Sequence, residues 1–174
     1  MTDIWIAPEK LFDGQTVREG LAVCIVDHRV TEIAPAPKTA QPIKGYLTPG
    51  FIDLQVNGGG GGLLNTTPTR EGMAAIAAAH RRFGTVAVMP TVITDAPEVL
   101  DKVADAAIAA SQDNGIVGLH IEGPHISVKR CGTHNSKLVR DLDMRTMDVV
   151  ANLRRHDIAV LITLATEASS TAQI

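Results

Sequence analysis

Two patterns of hydrophobic and polar positions divide the chain near residue 46. Before it, short apolar runs alternate with turn residues. Leu21-Ala22-Val23-Cys24-Ile25-Val26 predicts a buried strand, Asp27-His28-Arg29 a polar turn, and Val30-Thr31-Glu32-Ile33 a returning strand. Asp13-Gly14 marks an earlier hairpin-type turn, and Pro35, Pro37 and Pro42 predict a linker-like stretch. Residues 1–46 thus form a small antiparallel β-unit, too short to bury a core of its own.

From Leu47 the pattern changes to strand–helix alternation. Phe51 to Val56 predicts a strand. Thr67-Pro68, as N-cap and first helical residue, predicts a helix that runs through an alanine-rich stretch to a stop at Gly84. Thr85 to Met89 is a second strand, and Asp95-Ala96-Pro97-Glu98 resembles a capping box opening a helix to about Asp113. Ile116 to Ile121 is the third strand. A helix from Asp143 to His156 leads to a fourth, Ile158 to Leu164. Repeated βα units with near-continuous apolar strands indicate a parallel sheet covered by helices. The expected domains are therefore residues 1–46 and residues 47–174.

Composition narrows the function classes. Sixteen Lys+Arg against nineteen Asp+Glu give a net charge of −3 over 174 residues, which excludes a protein that works by neutralising phosphate backbones. Aromatic residues at 3% exclude a stacking platform for single-stranded nucleic acid. No apolar run approaches the ~18–20 residues of a membrane span. Met1-Thr2-Asp3-Ile4-Trp5 lacks the basic start and apolar stretch of a signal peptide, so a cytoplasmic location is expected. Cys24 and Cys131 form no spacing motif and are expected to be reduced thiols without a role.

In parallel α/β folds, ligands meet the carboxyl ends of the strands. Those ends carry Gln55 and Asn57, then Thr91 and Thr94, then His120, Glu122 and His125. Gln55 and Asn57 alternate about Val56 and so share a face, as amide groups suited to orienting a water or a substrate amide. Capping of the glycine run that follows is the competing explanation. Glu122 ends a fully apolar strand, and Gly123-Pro124 forces a rigid exit, which leaves a ligand role and a solvated loop carboxylate about equally expected. The run Gly58 to Gly62 lacks the Lys-Ser/Thr of a P-loop and dinucleotide spacing, so flexibility or close approach to a ligand is expected of it. Thr133 and His134 offer a hydroxyl and an imidazole after the turn at Gly132. His28, His80 and His156 are expected to be merely solvated. Met73, Ile76, Ala77 and His80 have helical spacing and predict a core face.

Three segments in this order and spacing, over essentially the whole chain, resemble one family. They are Pro49-Gly50-Phe51-Ile52-Asp53-Leu54-Gln55-Val56-Asn57-Gly58, Gly118-Leu119-His120-Ile121-Glu122-Gly123-Pro124, and Gly132-Thr133-His134-Asn135. Pro90-Thr91 with Ile93-Thr94 also fits. The sequence is similar to N-acetylglucosamine-6-phosphate deacetylases of the amidohydrolase superfamily.

The resemblance implies a partial (β/α)8 barrel of about four βα units, preceded by a small β-sandwich segment. It also implies metal-assisted hydrolysis of an acetamide, giving glucosamine 6-phosphate and acetate. Glu122 aligns with a metal ligand, Gln55 and Asn57 with side chains that touch the metal-bound water, and Thr133 and His134 with a substrate-binding segment. One divalent ion, zinc or similar, is implied for the complete enzyme, as are a homodimer and an amino-sugar phosphate substrate, with no nucleic acid and no membrane as partners. The family's further metal histidines, its catalytic aspartate and its phosphate-binding groups belong to later strands, which places that aspartate beyond Ile174. The chain is therefore expected to be an N-terminal portion, inactive alone, with no catalytic residue of its own. Another amidohydrolase activity, or a non-catalytic remnant, are the alternatives.

Overall fold

The structure, a computed structural model, describes residues 3–173, which separate into two compact units at Pro49/Gly50. Met1, Thr2 and Ile174 lie outside the described residues. The expectations attached to them, a start unlike a signal peptide and a family aspartate placed beyond Ile174, therefore meet no structural counterpart. The division between the units falls three residues after the expected boundary at 46, because β5 carries the first unit's sheet through Leu47.

The first unit is built on β1 (Ile4–Phe12), which pairs antiparallel with β2 (Val17–Arg18) and β3 (Leu21–Val26). β3 turns into β4 (Arg29–Pro35) through Asp27 and His28, both at positive φ (48° and 63°). Two consecutive left-handed residues match the twist of a two-residue hairpin, so the polar turn is where the sequence puts it. The proline-rich stretch differs from its expectation. Pro42 lies inside β5 (Gln41–Leu47), which runs parallel to β1 with Pro42 opposite Ala7. Among the described residues β5 pairs only with β1, and an edge strand tolerates a residue without an N–H.

The second unit is a curled, four-stranded parallel half-barrel sheet in the order β11-β10-β9-β6, from β6 (Phe51–Val56), β9 (Thr85–Ile93), β10 (Leu119–Glu122) and β11 (Val160–Thr163). Helices α1 (Arg70–Arg81), α2 (Pro97–Ala109) and α3 (Met144–Arg155) follow successive strands and supply one core with Val56, Val88, Val92, Leu119 and Ile121. Met73, Ile76 and Ala77 of α1 are buried there, as their helical spacing predicts. α3 begins where the sequence places it, because the Asp143 carboxylate accepts the Thr146 N–H at 2.8 Å. α1 begins two residues later than expected: Thr69, not Thr67, caps it by accepting the Gly72 N–H. α2 has no side-chain cap, because Ala96 and not Asp95 stands at its N-cap, and Asp95 accepts the Asn65 amide at 2.9 Å. β10 starts late too. Ile116 makes only an isolated bridge to Val88, and Gly118 passes so close to Ala159 that a Cβ there would strike its carbonyl oxygen.

The glycine run is a packed hairpin. β7 (Gly58–Gly59) and β8 (Gly62–Leu63) pair across Gly60 and Gly61, both at positive φ. A Cβ on Gly58 would collide with the Gly62 carbonyl, and one on Gly59 would stand 2.9 Å from the His80 ring. His80 Nε2–H donates to the Gly58 carbonyl at 2.8 Å, so this histidine is a clasp rather than a solvated side chain. These two glycines thus approach their own chain and α1 closely. Gly58→Ala should cost about 1–3 kcal/mol of stability by overpacking, read as a lower urea midpoint at unchanged slope.

Candidate functional site

The polar residues of β9, β10 and β11 are set by register. His120 lies opposite Thr91 on one side, and Glu122 opposite Thr163 on the other. Residues two apart on a strand share a face, so His120 and Glu122 emerge together. His120 is buried, with Nδ1 3.2 Å from Thr91 Oγ1 and Nε2 2.8 Å from Thr163 Oγ1. Burial pushes its imidazole below the ordinary histidine range, and the Glu122 charge only partly opposes this. Thr91 Oγ1 also accepts the Val56 N–H at 2.9 Å. That contact gives the Val56 N–H an acceptor just after a register shift in β6, where Val56 lies opposite Pro90.

Glu122 is the centre of the site. Its Oε2 accepts the Asn57 Nδ2–H at 2.9 Å, joining the ends of β6 and β10. Its Oε1 lies 3.9 Å from His134 Nε2. The His134 ring is oriented by Thr94, whose backbone N–H donates to Nδ1 at 3.3 Å and whose hydroxyl lies 2.7 Å from the same atom. Nδ1 is therefore the acceptor nitrogen, and the neutral ring carries its proton on Nε2, facing Glu122. Glu122, Thr163 and His134 open on one cleft of about 440 Å³, also lined by Arg130, Cys131 and Thr133.

Of the residues predicted from sequence, Asn57, Glu122 and His134 converge. Thr133 is exposed at the cleft with no bonded partner among the described residues. Gln55 is exposed at the end of β6, and its side chain makes no hydrogen bond among the described residues. His125 turns away: it is fully buried, bonded to the Arg140 carbonyl at 3.1 Å and to the Thr146 hydroxyl at 2.9 Å. A divalent metal needs about three or more protein ligands. Among the described residues no group of three His, Cys, Asp or Glu side chains comes together. These residues by themselves do not fit a whole metal site; they offer one carboxylate beside neutral amide and hydroxyl oxygens.

No family model matches the chain. It is 47% identical over 133 residues to the N-acetylgalactosamine-6-phosphate deacetylase of Shewanella sp. (strain ANA-3), a match covering 75% of this chain and 33% of that protein. It is 35% identical over 127 residues to the mouse N-acetylglucosamine-6-phosphate deacetylase, covering 70% of this chain and 31% of that one. The crystal structure of N-acetylglucosamine-6-phosphate deacetylase from Pasteurella multocida superposes with a TM-score of 0.82 at 28% identity, over 99% of this chain and 47% of its own. The chain is homologous to the N-terminal portion of these deacetylases. It spans about a third of the length of the curated deacetylases and under half of the solved one. The Mycobacterium smegmatis deacetylase, solved as a D267A mutant with N-acetyl-D-glucosamine-6-phosphate, gives a TM-score of 0.79 at 26% identity over 95% of this chain.

For a deacetylase homologue, the residues that sequence reasoning missed are the supports. Thr94 appeared only as a strand-end polar residue, yet it fixes the tautomer of His134. Thr163 belongs to an apolar run, and its bond to His120 spans 43 residues of sequence, so no local signal marks it.

Proposed function

We propose that these residues are the N-terminal portion of a hydrolase that removes the acetyl group from an N-acetylated hexosamine 6-phosphate, releasing acetate and the free amine. The observation that carries this reading is the 47% identity to the Shewanella enzyme over 133 residues. The same identity favours the galactosamine epimer as a second reading beside the glucosamine one that the motifs suggest.

In this reading Glu122 supplies one ligand to a divalent ion, zinc or similar, whose other ligands come from outside the 174 residues, as does the catalytic aspartate expected beyond Ile174. Such an ion would lower the pKa of a bound water and polarise the acetamide. The chain's own residues prepare the place. Asn57 holds one Glu122 oxygen, Gln55 offers a free amide at the neighbouring strand end, and Thr133 and His134 meet the sugar. With a single carboxylate ligand, the 174 residues alone would be inactive. A phosphorylated sugar does not cross a bilayer, which suits a cytoplasmic enzyme working on a small molecule; a homodimer is the proposed assembly of the complete enzyme. Among the described residues no helix is long and apolar enough to cross a membrane.

The test is a chimera in which these residues replace the corresponding part of the Shewanella enzyme, assayed for acetate release from both epimers with metal supplied. Release from either supports the reading, and a folded but inactive chimera overturns it. In that chimera His134→Ala should lower kcat/KM by a few kcal/mol at most in transition-state terms while leaving metal content unchanged. The Nε2–H geometry argues for sugar contact rather than metal ligation. Metal lost on that substitution would show that His134 is a ligand instead.

A further inference from the structure

We propose that Thr163 is a hydrogen-bond donor of the site and that His120 is the positioning residue that makes it one. This deepens the deacetylase reading, on which it rests, by adding a residue that meets the substrate.

The assignment follows from counting protons along one line of groups. Val56 N–H donates to Thr91 Oγ1, which lies 3.2 Å from His120 Nδ1, and His120 Nε2 lies 2.8 Å from Thr163 Oγ1. Thr91 has one hydroxyl proton and two neighbours that could take it, His120 Nδ1 and its own strand's Met89 carbonyl at 3.3 Å. The Met89 carbonyl is only two residues back, a cramped local contact, whereas the Nδ1 lone pair has no other donor among the described residues. If Thr91 gives its proton to Nδ1, the ring proton sits on Nε2 and is donated to Thr163 Oγ1. Thr163 then accepts from His120 and keeps its own proton for something else.

Thr163 is exposed, and it lines the cleft with Glu122 and His134. Its register partner is Glu122, so the free proton is presented beside a carboxylate. A single uncharged hydroxyl donor suits a neutral ligand oxygen, whereas a phosphate is ordinarily held by cationic side chains. The ligand group that fits is therefore a carbonyl or hydroxyl oxygen, such as the acetamide or ring hydroxyls of an N-acetylated hexosamine, rather than its phosphate. The inference needs only a proton on His120 Nε2.

The experiment is two-dimensional ¹H–¹⁵N NMR of the His120 ring in the chimera of these residues with the Shewanella enzyme, labelled with ¹⁵N-histidine, with His120→Gln for assignment. A protonated Nε2 is expected. In Thr163→Val the Nε2 resonance should move as its acceptor is lost, and in Thr163→Ser it should return. A ring protonated on Nδ1 alone would consume the Thr163 proton and overturn the proposal, as would an Nε2 resonance indifferent to Thr163→Val. The two N-acetylated hexosamine 6-phosphates are then titrated into the chimera carrying Thr163, Thr163→Val or Thr163→Ser. Thr163→Val should weaken binding roughly tenfold and Thr163→Ser by less than about twofold. Equal binding by wild type and Thr163→Val overturns the donor role. If Nε2 is protonated and responds to Thr163→Val but no folded chimera binds either sugar, the donor stands and the deacetylase reading of the substrate falls.

Discussion

On size-exclusion chromatography with light scattering, the 174-residue chain should self-associate as its concentration rises and should not behave as a stable monomer. The reason is in the second unit. β6 and β11 end the four-stranded sheet, and among the described residues neither has a partner on its outer side. A closed barrel removes such edges, whereas an open row of backbone N–H and C=O groups templates further pairing. The edge strands are also apolar where they should be guarded: Phe51 is 66% exposed, Ile52 65% and Leu161 40%. Natural edges are usually blunted by charge, a bulge or brevity, and β11 has only brevity. A cooperatively unfolding monomer that persists at high concentration would mean that these strands are covered in a way the sheet order does not show.

The second large effect is expected at Glu122. In the chimera with the Shewanella enzyme, Glu122→Gln should remove most of the bound metal, measured by elemental analysis, and with it the activity. The change is nearly isosteric, and the Asn57 amide still finds an oxygen to donate to, so the β6–β10 tie survives. What is lost is the carboxylate that stands between Asn57 and His134. A hard divalent cation binds a neutral amide oxygen far more weakly than a carboxylate. Metal content equal to that of the parent chimera would remove Glu122 from the ligand set.

What the sequence reveals here depends on how far apart the interacting groups are. The cap of α3 is legible because Asp143 serves a backbone N–H three residues on. The hairpin at Asp27-His28 is legible for the same reason. The start of α1 is misplaced by two residues, because Thr67-Pro68 has the local form of a cap while Thr69 is the residue that accepts the Gly72 N–H. Pro42 misleads because an edge position is a property of the assembled sheet, not of the residue. In the site, Glu122 announces itself through Gly123-Pro124 and Asn57 through alternation about Val56. His120 and Thr163 lie in apolar strand sequence, and their polar partners come from neighbouring strands 29 and 43 residues away. The packing of the glycine run against α1 is not legible, because the helix beside it is unseen until the chain is folded.

The Thr91 hydroxyl under Val56 has a consequence for how the half-barrel breathes. Edge strands ordinarily lose their amide protons to solvent first, since they open without disturbing the rest of the sheet. The Val56 N–H is held by a buried hydroxyl that is itself tied to His120, so releasing it means separating β6 from β9 and loosening the ring beneath β10. This single amide should keep its hydrogen in heavy water about as long as amides of the central strands. Its neighbours earlier in β6 should be deuterated within the time of local fraying. The rim that carries Asn57 would then be the quiet end of an otherwise restless strand.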